Sequence, residues 1–152
     1  MSEAMIEIAS EAAMLAFGRT LGRLLERGDL VALSGDLGAG KTVLARGMLA
    51  GLGFDGEVTS PSYALVHPYD APDVRLPVSH VDLYRLGDPA ALVELGLGEA
   101  RSYGALIVEW PERAGAAFVA DALHVRIERD GPSARRLTVA VPRSWEGRWP
   151  RR

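Results

Sequence analysis

The segment Gly35-Asp36-Leu37-Gly38-Ala39-Gly40-Lys41-Thr42 has the spacing G-x-x-x-x-G-K-[ST], which constrains the fold more than any other feature of the chain. Lys41 is the only lysine, so the other sixteen of the 17 basic residues are arginine. A chance match from this composition is on the order of one in a thousand. The apolar run Leu30–Ser34 predicts a buried strand before the segment, and Thr42 to Leu52 predicts a helix after it. A strand, a glycine-rich turn and a helix N-terminus together predict a phosphate-binding loop.

The residue types in this loop suit a nucleotide triphosphate and a magnesium ion. The Lys41 ammonium is a compact charge that reaches between β- and γ-phosphate oxygens, where a planar guanidinium does not fit. The amides of residues 37–42 are expected to point inward around the phosphates, and the Thr42 hydroxyl is expected to ligate Mg²⁺. Asp36 would repel a phosphate, so we expect it to point outward or to serve a neighbouring hydrogen bond.

Composition favours one cytoplasmic domain. A chain of 152 residues is long enough for one well-buried core, and we assign residues 1–142 to it and 143–152 to a tail bearing arginine and tryptophan. The chain has no cysteine, which excludes disulfides and thiolate metal sites. It has no long apolar stretch and no basic N-terminal start, so the cytoplasm is the expected location. A net charge of −3 argues against a protein that binds nucleic acid alone.

Periodicity predicts an α/β fold with a mixed sheet, and the phosphate-binding loop makes the P-loop NTPase type the expected one. The expected architecture is a three-layer sandwich with a mixed, partly parallel sheet and a C-terminal antiparallel hairpin. Ser10 is expected to cap a first helix that stops near Gly28, and Asp88 to cap a helix that continues to about Ala100. The predicted strands are residues 5–9, 30–34, a strand with its entry loop in 58–69, 76–83, 105–108, 123–128 and 136–141.

Two predicted strands end in a carboxylate. Asp82 follows an apolar strand, as the acidic residue of a Walker B element does, and Glu109 follows an even more apolar one. Either carboxylate could hold the metal through water while the other orients the attacking water. The sequence leaves the assignment open.

Other polar and aromatic residues have both a functional and an ordinary interpretation. Ser60 and Ser62 could form a switch loop that reaches the γ-phosphate, or a proline turn whose serines bond their own backbone. The histidines, His67, His80 and His124, lack metal-ligand spacing and are interpreted as ordinary strand-edge residues. Trp110 is expected to pack rather than to stack on a nucleotide. The tail is expected to be a frayed, solvated end rather than a surface for RNA or a partner.

The motifs GDLGAGKT (35–42), SPSYALVHPY (60–69), HVDLYRL (80–86), ELGLGEA (94–100) and IVEWPE (107–112) resemble the TsaE family, also called YjeE. Their order and spacing match the family over roughly residues 10–112. The resemblance implies a slow Mg-ATPase of bacterial tRNA threonylcarbamoyladenosine synthesis. Such proteins assist a partner heterodimer that modifies the adenosine beside the anticodon, and contact with tRNA would be indirect.

The resemblance also implies roles for particular residues. Lys41, Glu109 and Asp82 become the catalytic group, with Thr42 and Glu109 at the metal. The residues expected at the nucleotide are Glu11, Leu37, Gly38, Ala39, Gly40, Lys41, Thr42, Val43 and Trp110. Two departures stand out. Ser62 replaces the usual threonine of the switch motif. The arginine of the last hairpin turn is shifted or missing, with Pro132 and Ser133 near its place and Arg135 the next arginine along the chain.

Three functions are compatible with these residues. The first is a Mg-ATPase acting on its partners' tRNA-modifying cycle. The second is a binding module whose ATP occupancy, without turnover, controls docking. The third is a small kinase, for which the roughly 110 residues after the loop leave little room for an acceptor site and a lid. A guanine-specific GTPase is disfavoured because no lysine remains for its N/T-K-x-D signature, so adenine is the expected base.

Overall fold

The computed structural model describes residues 2–58 and 65–150, and the architecture within them is a mixed sheet with helices on both faces. Ser60 and Ser62 lie outside these residues, so the switch loop stays a prediction. The strands are β1 (Ser2–Ile8), β2 (Leu30–Ser34), β3 (Val66–Tyr69), β4 (Val78–Asp82), β5 (Ala105–Glu109), β6 (Leu123–Arg129) and β7 (Arg135–Val141). The α-helices are α1 (Glu11–Leu24), α2 (Lys41–Gly51) and α3 (Leu97–Tyr103), and 3₁₀ helices cover Pro89–Leu95, Pro111–Ala114 and Arg143–Trp145.

The sheet has the order β1-β7-β6-β2-β5-β4-β3. Its centre is parallel, because β2 pairs in parallel with both β5 and β6, and β4 pairs in parallel with β5. The β6–β7 hairpin is antiparallel, as predicted, and β1 extends that edge by pairing with β7. The carboxyl ends of β2, β4 and β5 therefore meet at one edge, where the phosphate-binding loop begins.

Two apolar clusters, one on each face of the sheet, confirm the three layers. Helices α1 and α2 cover one face, and α3 with the 3₁₀ helices at 89–95 and 111–114 lies over the other. Alternation along β4 separates the faces, so Val81 and Leu83 join the second cluster while Val78 joins the first. His80 and Asp82 share the face of Val78. That face also carries α2, whose N-terminus forms the site.

Helices α1 and α2 approach unusually closely because glycines lie at their crossing. Gly18 and Gly22 of α1 face Gly47 and Gly51 of α2. A Cβ built on Gly22 would stand 2.1 Å from the Met48 carbonyl oxygen, so any larger residue requires the helices to separate. The close contact fixes α2, and with it the phosphate-binding loop, against α1.

The helix predicted from Asp88 to Ala100 is two helices. Asp88 caps the first, its side chain accepting from the Ala90 amide at 3.0 Å, but that helix is 3₁₀ and ends at Leu95. Gly96 then adopts a left-handed conformation with φ of 67°, and α3 starts at the next residue. A left-handed residue interrupts the helical hydrogen-bond ladder, so the prediction of one continuous helix is wrong.

The tail is folded onto the domain, so its interpretation as a frayed end is wrong for residues 143–150. Trp145 is 1% exposed, and the Trp149 ring packs edge-on against Phe17 with centroids 6.3 Å apart. Arg148 donates to both oxygens of the Asp29 carboxylate, at 2.7 and 3.0 Å. Apolar burial and a two-point ion pair together stabilise the docked tail by more than the conformational entropy that a solvated tail would keep.

Candidate functional site

The loop at 35–42 turns from β2 into α2 with the backbone that its glycines permit. Gly35, Gly38 and Gly40 all have positive φ, of 149°, 76° and 118°. Gly40 is the residue before α2 and has no side chain to cap it, which leaves the N-terminal amides of the helix open to an anion. The Ala39 amide differs from the predicted inward set, since it donates to the Asp36 carbonyl at 3.0 Å.

Basic side chains hold several carbonyls of the loop. Lys41 donates its ammonium to the carbonyls of Gly35 and Asp36, the second at 2.9 Å. From the hairpin, Arg129 donates to the Leu37 carbonyl at 3.1 Å and Arg135 to the Ala39 carbonyl at 2.8 Å. Sequence reasoning missed both arginine contacts, because the hairpin is some ninety residues away along the chain. The Asp36 side chain is exposed, in agreement with its predicted outward direction.

Glu109 lies at the centre of the site, 3% exposed at the end of β5. The Thr42 hydroxyl donates to its carboxylate, with Oγ1 3.2 Å from Oε1. Asp82 ends the neighbouring strand directly beside Glu109 in the parallel register. The structure therefore brings Lys41, Thr42, Asp82 and Glu109 together, as the sequence predicted.

Burial and charge act against each other in this cluster. Burial lowers the pKa of Lys41, while the carboxylates of Glu109, Glu112, Asp82 and Asp36 oppose that change. Burial also raises the pKa of Asp82, and Glu109 raises it further, against the Tyr84 amide that donates to Asp82 Oδ1 at 2.9 Å. A cation among partly buried carboxylates is a suitable place for a metal-bound polyphosphate. The negative phosphates would balance the Lys41 ammonium, and the metal ion would balance the carboxylates.

His80 is a buried residue whose position sequence reasoning misread. It lies in the interior strand β4, is 0% exposed, and its Nε2 is 2.6 Å from Glu109 Oε2. The interpretation as an ordinary strand-edge residue is therefore wrong, because parallel pairing with β5 places the ring beside the carboxylate. The alternation that put His80 and Asp82 on one face was the available signal.

Trp110 packs in the second apolar cluster and also contacts the lysine of the loop. Its backbone is left-handed, with φ of 58°, a conformation that bulky side chains rarely adopt. The indole packs against the second apolar cluster, and the Lys41 Nζ lies 4.4 Å from the ring centre, within cation–π range. The Tyr84 ring is 4.9 Å away on the outer side. Trp110 thus links the loop lysine to a surface aromatic residue.

Five of the nine residues expected at the nucleotide, namely Glu11, Gly38, Ala39, Gly40 and Val43, line a cavity of about 240 Å³ between α1, the loop and the hairpin turn. Its walls include Ser10, Glu11, Met14, Gly38, Ala39, Gly40, Val43 and Arg135. Leu37 lies apart from this cavity at the loop tip, 63% exposed. A second, more open cavity of about 650 Å³ lies on the other side of the loop, bordered by Trp110, Glu112 and residues 126–129.

Magnesium chemistry fits these residues. Thr42 and Glu109 supply the hydroxyl and carboxylate oxygens that Mg²⁺ prefers, with Asp82 adjacent. In residues 2–58 and 65–150, no group of three His, Cys, Asp or Glu side chains forms a metal cage. Such an arrangement suits an ion that takes some of its ligands from phosphates and water.

The fold and the loop define a P-loop NTPase-like α/β protein. The family model described as "Threonylcarbamoyl adenosine biosynthesis protein TsaE" matches residues 8–137, and the chain belongs to the TsaE family. This family takes part in tRNA threonylcarbamoyladenosine biosynthesis. None of the helices in the described ranges has the length and hydropathy that crossing a bilayer requires.

Individual relatives of the chain carry the same family name. The TsaE protein of Streptomyces coelicolor is 46% identical over 121 residues, which is 76% of this chain and 79% of that protein. The Haemophilus influenzae protein of the same name is 41% identical over 112 residues, 70% of each chain. Among solved structures, the crystal structure of Bacillus subtilis YdiB superposes with a TM-score of 0.81 at 28% identity, covering 96% of this chain and 90% of that one.

Proposed function

We propose that the chain binds and slowly hydrolyses Mg-ATP, and that hydrolysis acts on the cycle of a partner heterodimer that modifies tRNA. The observation that carries this proposal is the Thr42 hydroxyl of the phosphate-binding loop within 3.2 Å of the buried Glu109 carboxylate. Loop, hydroxyl and strand-end carboxylate are the parts that phosphoryl transfer to water requires. We expect the activity in the cytoplasm, with its tRNA substrates.

Each residue has a distinct part in the proposed reaction. The amides at the start of α2 and the Lys41 ammonium bind the β- and γ-phosphates, and Lys41 exchanges the carbonyls of Gly35 and Asp36 for phosphate oxygens. Thr42 and Glu109 would hold Mg²⁺, which when bound neutralises charge on the phosphates. Asp82 is the second acidic group, and one of the two carboxylates orients the attacking water.

The cavity of about 240 Å³ is the proposed place of the adenosine, beside Glu11 and Val43. It opens directly onto Gly38–Gly40, so a nucleotide in it would reach the loop amides with its phosphates. Arg135 lies on its wall and already donates to the Ala39 carbonyl. This contact positions the loop, and the guanidinium remains beside the proposed nucleotide.

The test is phosphate release from ATP, measured with and without the partner heterodimer, for the natural sequence, Lys41→Ala and Glu109→Ala. We expect each variant to lose roughly a hundredfold, the usual effect of removing one charge-stabilising group. Arg23→Ala and Glu99→Ala, which remove an exposed cation and an exposed carboxylate elsewhere, are matched controls. Equal rates for all of these proteins would end the proposal.

A second candidate is a module whose ATP occupancy controls partner docking without turnover. It is favoured by the stacking of Lys41, Trp110 and Tyr84, because a phosphate that draws Lys41 from the indole would change a surface aromatic pair. Glu109→Ala separates the two functions. If this variant binds ATP, shows no turnover and still supports tRNA modification by its partners, docking control is the function.

A further inference from the structure

His80 is a buried polar side chain that is hydrogen-bonded to Glu109, the residue at the centre of the candidate site. The ring is 0% exposed, and Nε2 lies 2.6 Å from Glu109 Oε2. Val78, which shares the face of His80 in β4, and Val81, which follows it, are apolar and buried, so a hydrophobic residue at position 80 would avoid the cost of desolvating an imidazole. A histidine at this position therefore needs a reason other than packing.

The hydrogen-bond pattern defines which nitrogen carries the proton. An ionised carboxylate only accepts hydrogen bonds, so Nε2 donates to Glu109. Nδ1 is buried and has no partner within the described part of the chain. A neutral imidazole protonated at Nε2 leaves only a lone pair unpaired there, whereas the other tautomer would leave Nε2 and the carboxylate as two facing acceptors. Of the two neutral tautomers, the Nε2–H form is therefore the one that fits this geometry.

Glu109 has two anchors of different kinds. The Thr42 hydroxyl holds Oε1 at 3.2 Å, and His80 holds Oε2 at 2.6 Å. Thr42 is a proposed metal ligand, so its contact with Glu109 must change when Mg-ATP binds. His80 lies in the sheet beneath the loop, and its bond can persist through that change.

We propose that His80 is a positioning residue that keeps the Glu109 carboxylate aimed at the metal and the attacking water throughout the nucleotide cycle. This inference rests on the proposed ATPase function. A carboxylate held by a donor on a rigid strand loses its rotational freedom, and small misplacements of such a group reduce rates by up to about a hundredfold.

The kinetic test compares three variants of His80 in ATP hydrolysis with the partners present. His80→Gln keeps an N–H donor near the position of Nε2, while His80→Leu removes it and His80→Asn is too short to reach Glu109. We expect kcat to fall about 10- to 100-fold in the Leu and Asn variants, with KM for Mg-ATP within about threefold, and His80→Gln to keep most of the rate. A structural role alone would not be rescued by glutamine.

The matched control is His67→Leu. His67 lies directly opposite His80 in the β3–β4 register, and its described contact is ring stacking on Tyr69 at 4.7 Å. The His67→Leu variant should keep kcat within about twofold of the value for the natural sequence. An equal fall in His67→Leu and His80→Leu would overturn the proposal, as would an unchanged kcat in His80→Asn. If His80→Leu fails to fold, the comparison of His80→Gln with His80→Asn decides.

A second readout needs neither nucleotide nor metal. Nitrogen-15 NMR of the histidine side chains in the unliganded protein should show His80 protonated at Nε2 only, with a strongly deshielded proton that shifts upfield in Glu109→Gln. A spectrum showing Nδ1 protonated, or no shift in Glu109→Gln, contradicts the inference. An absence of ATP hydrolysis in the natural sequence together with the expected spectrum would instead remove the proposed function and leave the hydrogen bond established.

Discussion

The Thr42 hydroxyl lies against the Glu109 carboxylate, 3.2 Å from Oε1 and 3.4 Å from Oε2, although 67 residues separate the two along the chain. The contact joins the first turn of α2 to the end of β5. It brings the two proposed protein ligands of Mg²⁺ together.

Thr42→Ala is expected to weaken Mg-ATP binding by about tenfold, which corresponds to 1.4 kcal/mol. Binding of ATP in the presence of a chelator should change by less than about threefold, because amides and Lys41 hold the phosphates without the hydroxyl. Isothermal titration calorimetry with and without Mg²⁺ measures both. Thr42→Ser keeps the hydroxyl and is the control, and equal weakening under both conditions would contradict a ligand role.

Gly22→Ala is expected to destabilise the protein strongly. Its Cβ would lie 2.1 Å from the Met48 carbonyl oxygen, so α1 and α2 must separate. Overpacking of this kind costs roughly 2–3 kcal/mol, which lowers Tm by roughly 5–10 °C for a chain of this size. Gly98→Ala in α3 is the matched control, since the space around it is open and alanine favours a helix. A similar Tm for the two variants would refute the packing argument.

Arg148→Ala is expected to cost about 3 kcal/mol, because it leaves the Asp29 carboxylate buried without its charged partner. Asp29 is 7% exposed and accepts two hydrogen bonds from the guanidinium. Urea unfolding measures the loss. Arg143→Ala, at an exposed position in the same tail, should stay within about 0.5 kcal/mol.

A double variant separates the ion pair from the rest of Arg148. Arg148→Ala combined with Asp29→Asn removes the unpaired charge. The side-chain oxygen of the asparagine can still accept from the Glu26 backbone N–H, which lies 2.7 Å from Asp29 Oδ2 in the natural sequence. We expect the double variant to lose less stability than Arg148→Ala alone. An equal or larger loss would show that packing of Arg148 on Trp145, with 4.1 Å between guanidinium carbon and ring centre, dominates instead.

His124 should make the protein less stable in mild acid. Burial lowers the pKa of His124, with Arg126 acting in the same direction and Glu112 opposing both. The folded state therefore favours the neutral ring, and the unfolded chain binds the proton first as the pH falls below about 6.5. The free energy of unfolding therefore decreases as the pH falls below that value, until the folded state also takes up the proton.

The measurement is the free energy of unfolding at pH 7.5 and 5.5 for the natural sequence and for His124→Gln. Glutamine retains a polar group opposite the Ser34 hydroxyl, which lies 3.0 Å from His124 Nε2. The decrease between the two pH values should be smaller in the variant. The same decrease in both proteins would assign the acid sensitivity to other groups.

Much of the fold followed from local patterns. The glycine spacing at 35–42 requires positive φ angles between a strand and a helix, and Ser10 accepts from the Ala13 amide as an N-cap should. The strand-end positions of Asp82 and Glu109 could be predicted together because parallel strands end at a common edge. Such features depend on residues that are close along the chain or on the general geometry of sheets.

The sequence by itself determined the phosphate-binding unit, the α/β class and the carboxylates of the site. Only the tertiary structure decided which side chains complete that site. The His80 contact with Glu109 depends on β4 pairing with β5, and the Arg129 and Arg135 contacts with the loop depend on the hairpin joining the sheet beside β2. Docking of the tail required Asp29 and Phe17 as partners. These contacts join distant segments, and no periodicity or spacing in a single segment encodes the partner it meets.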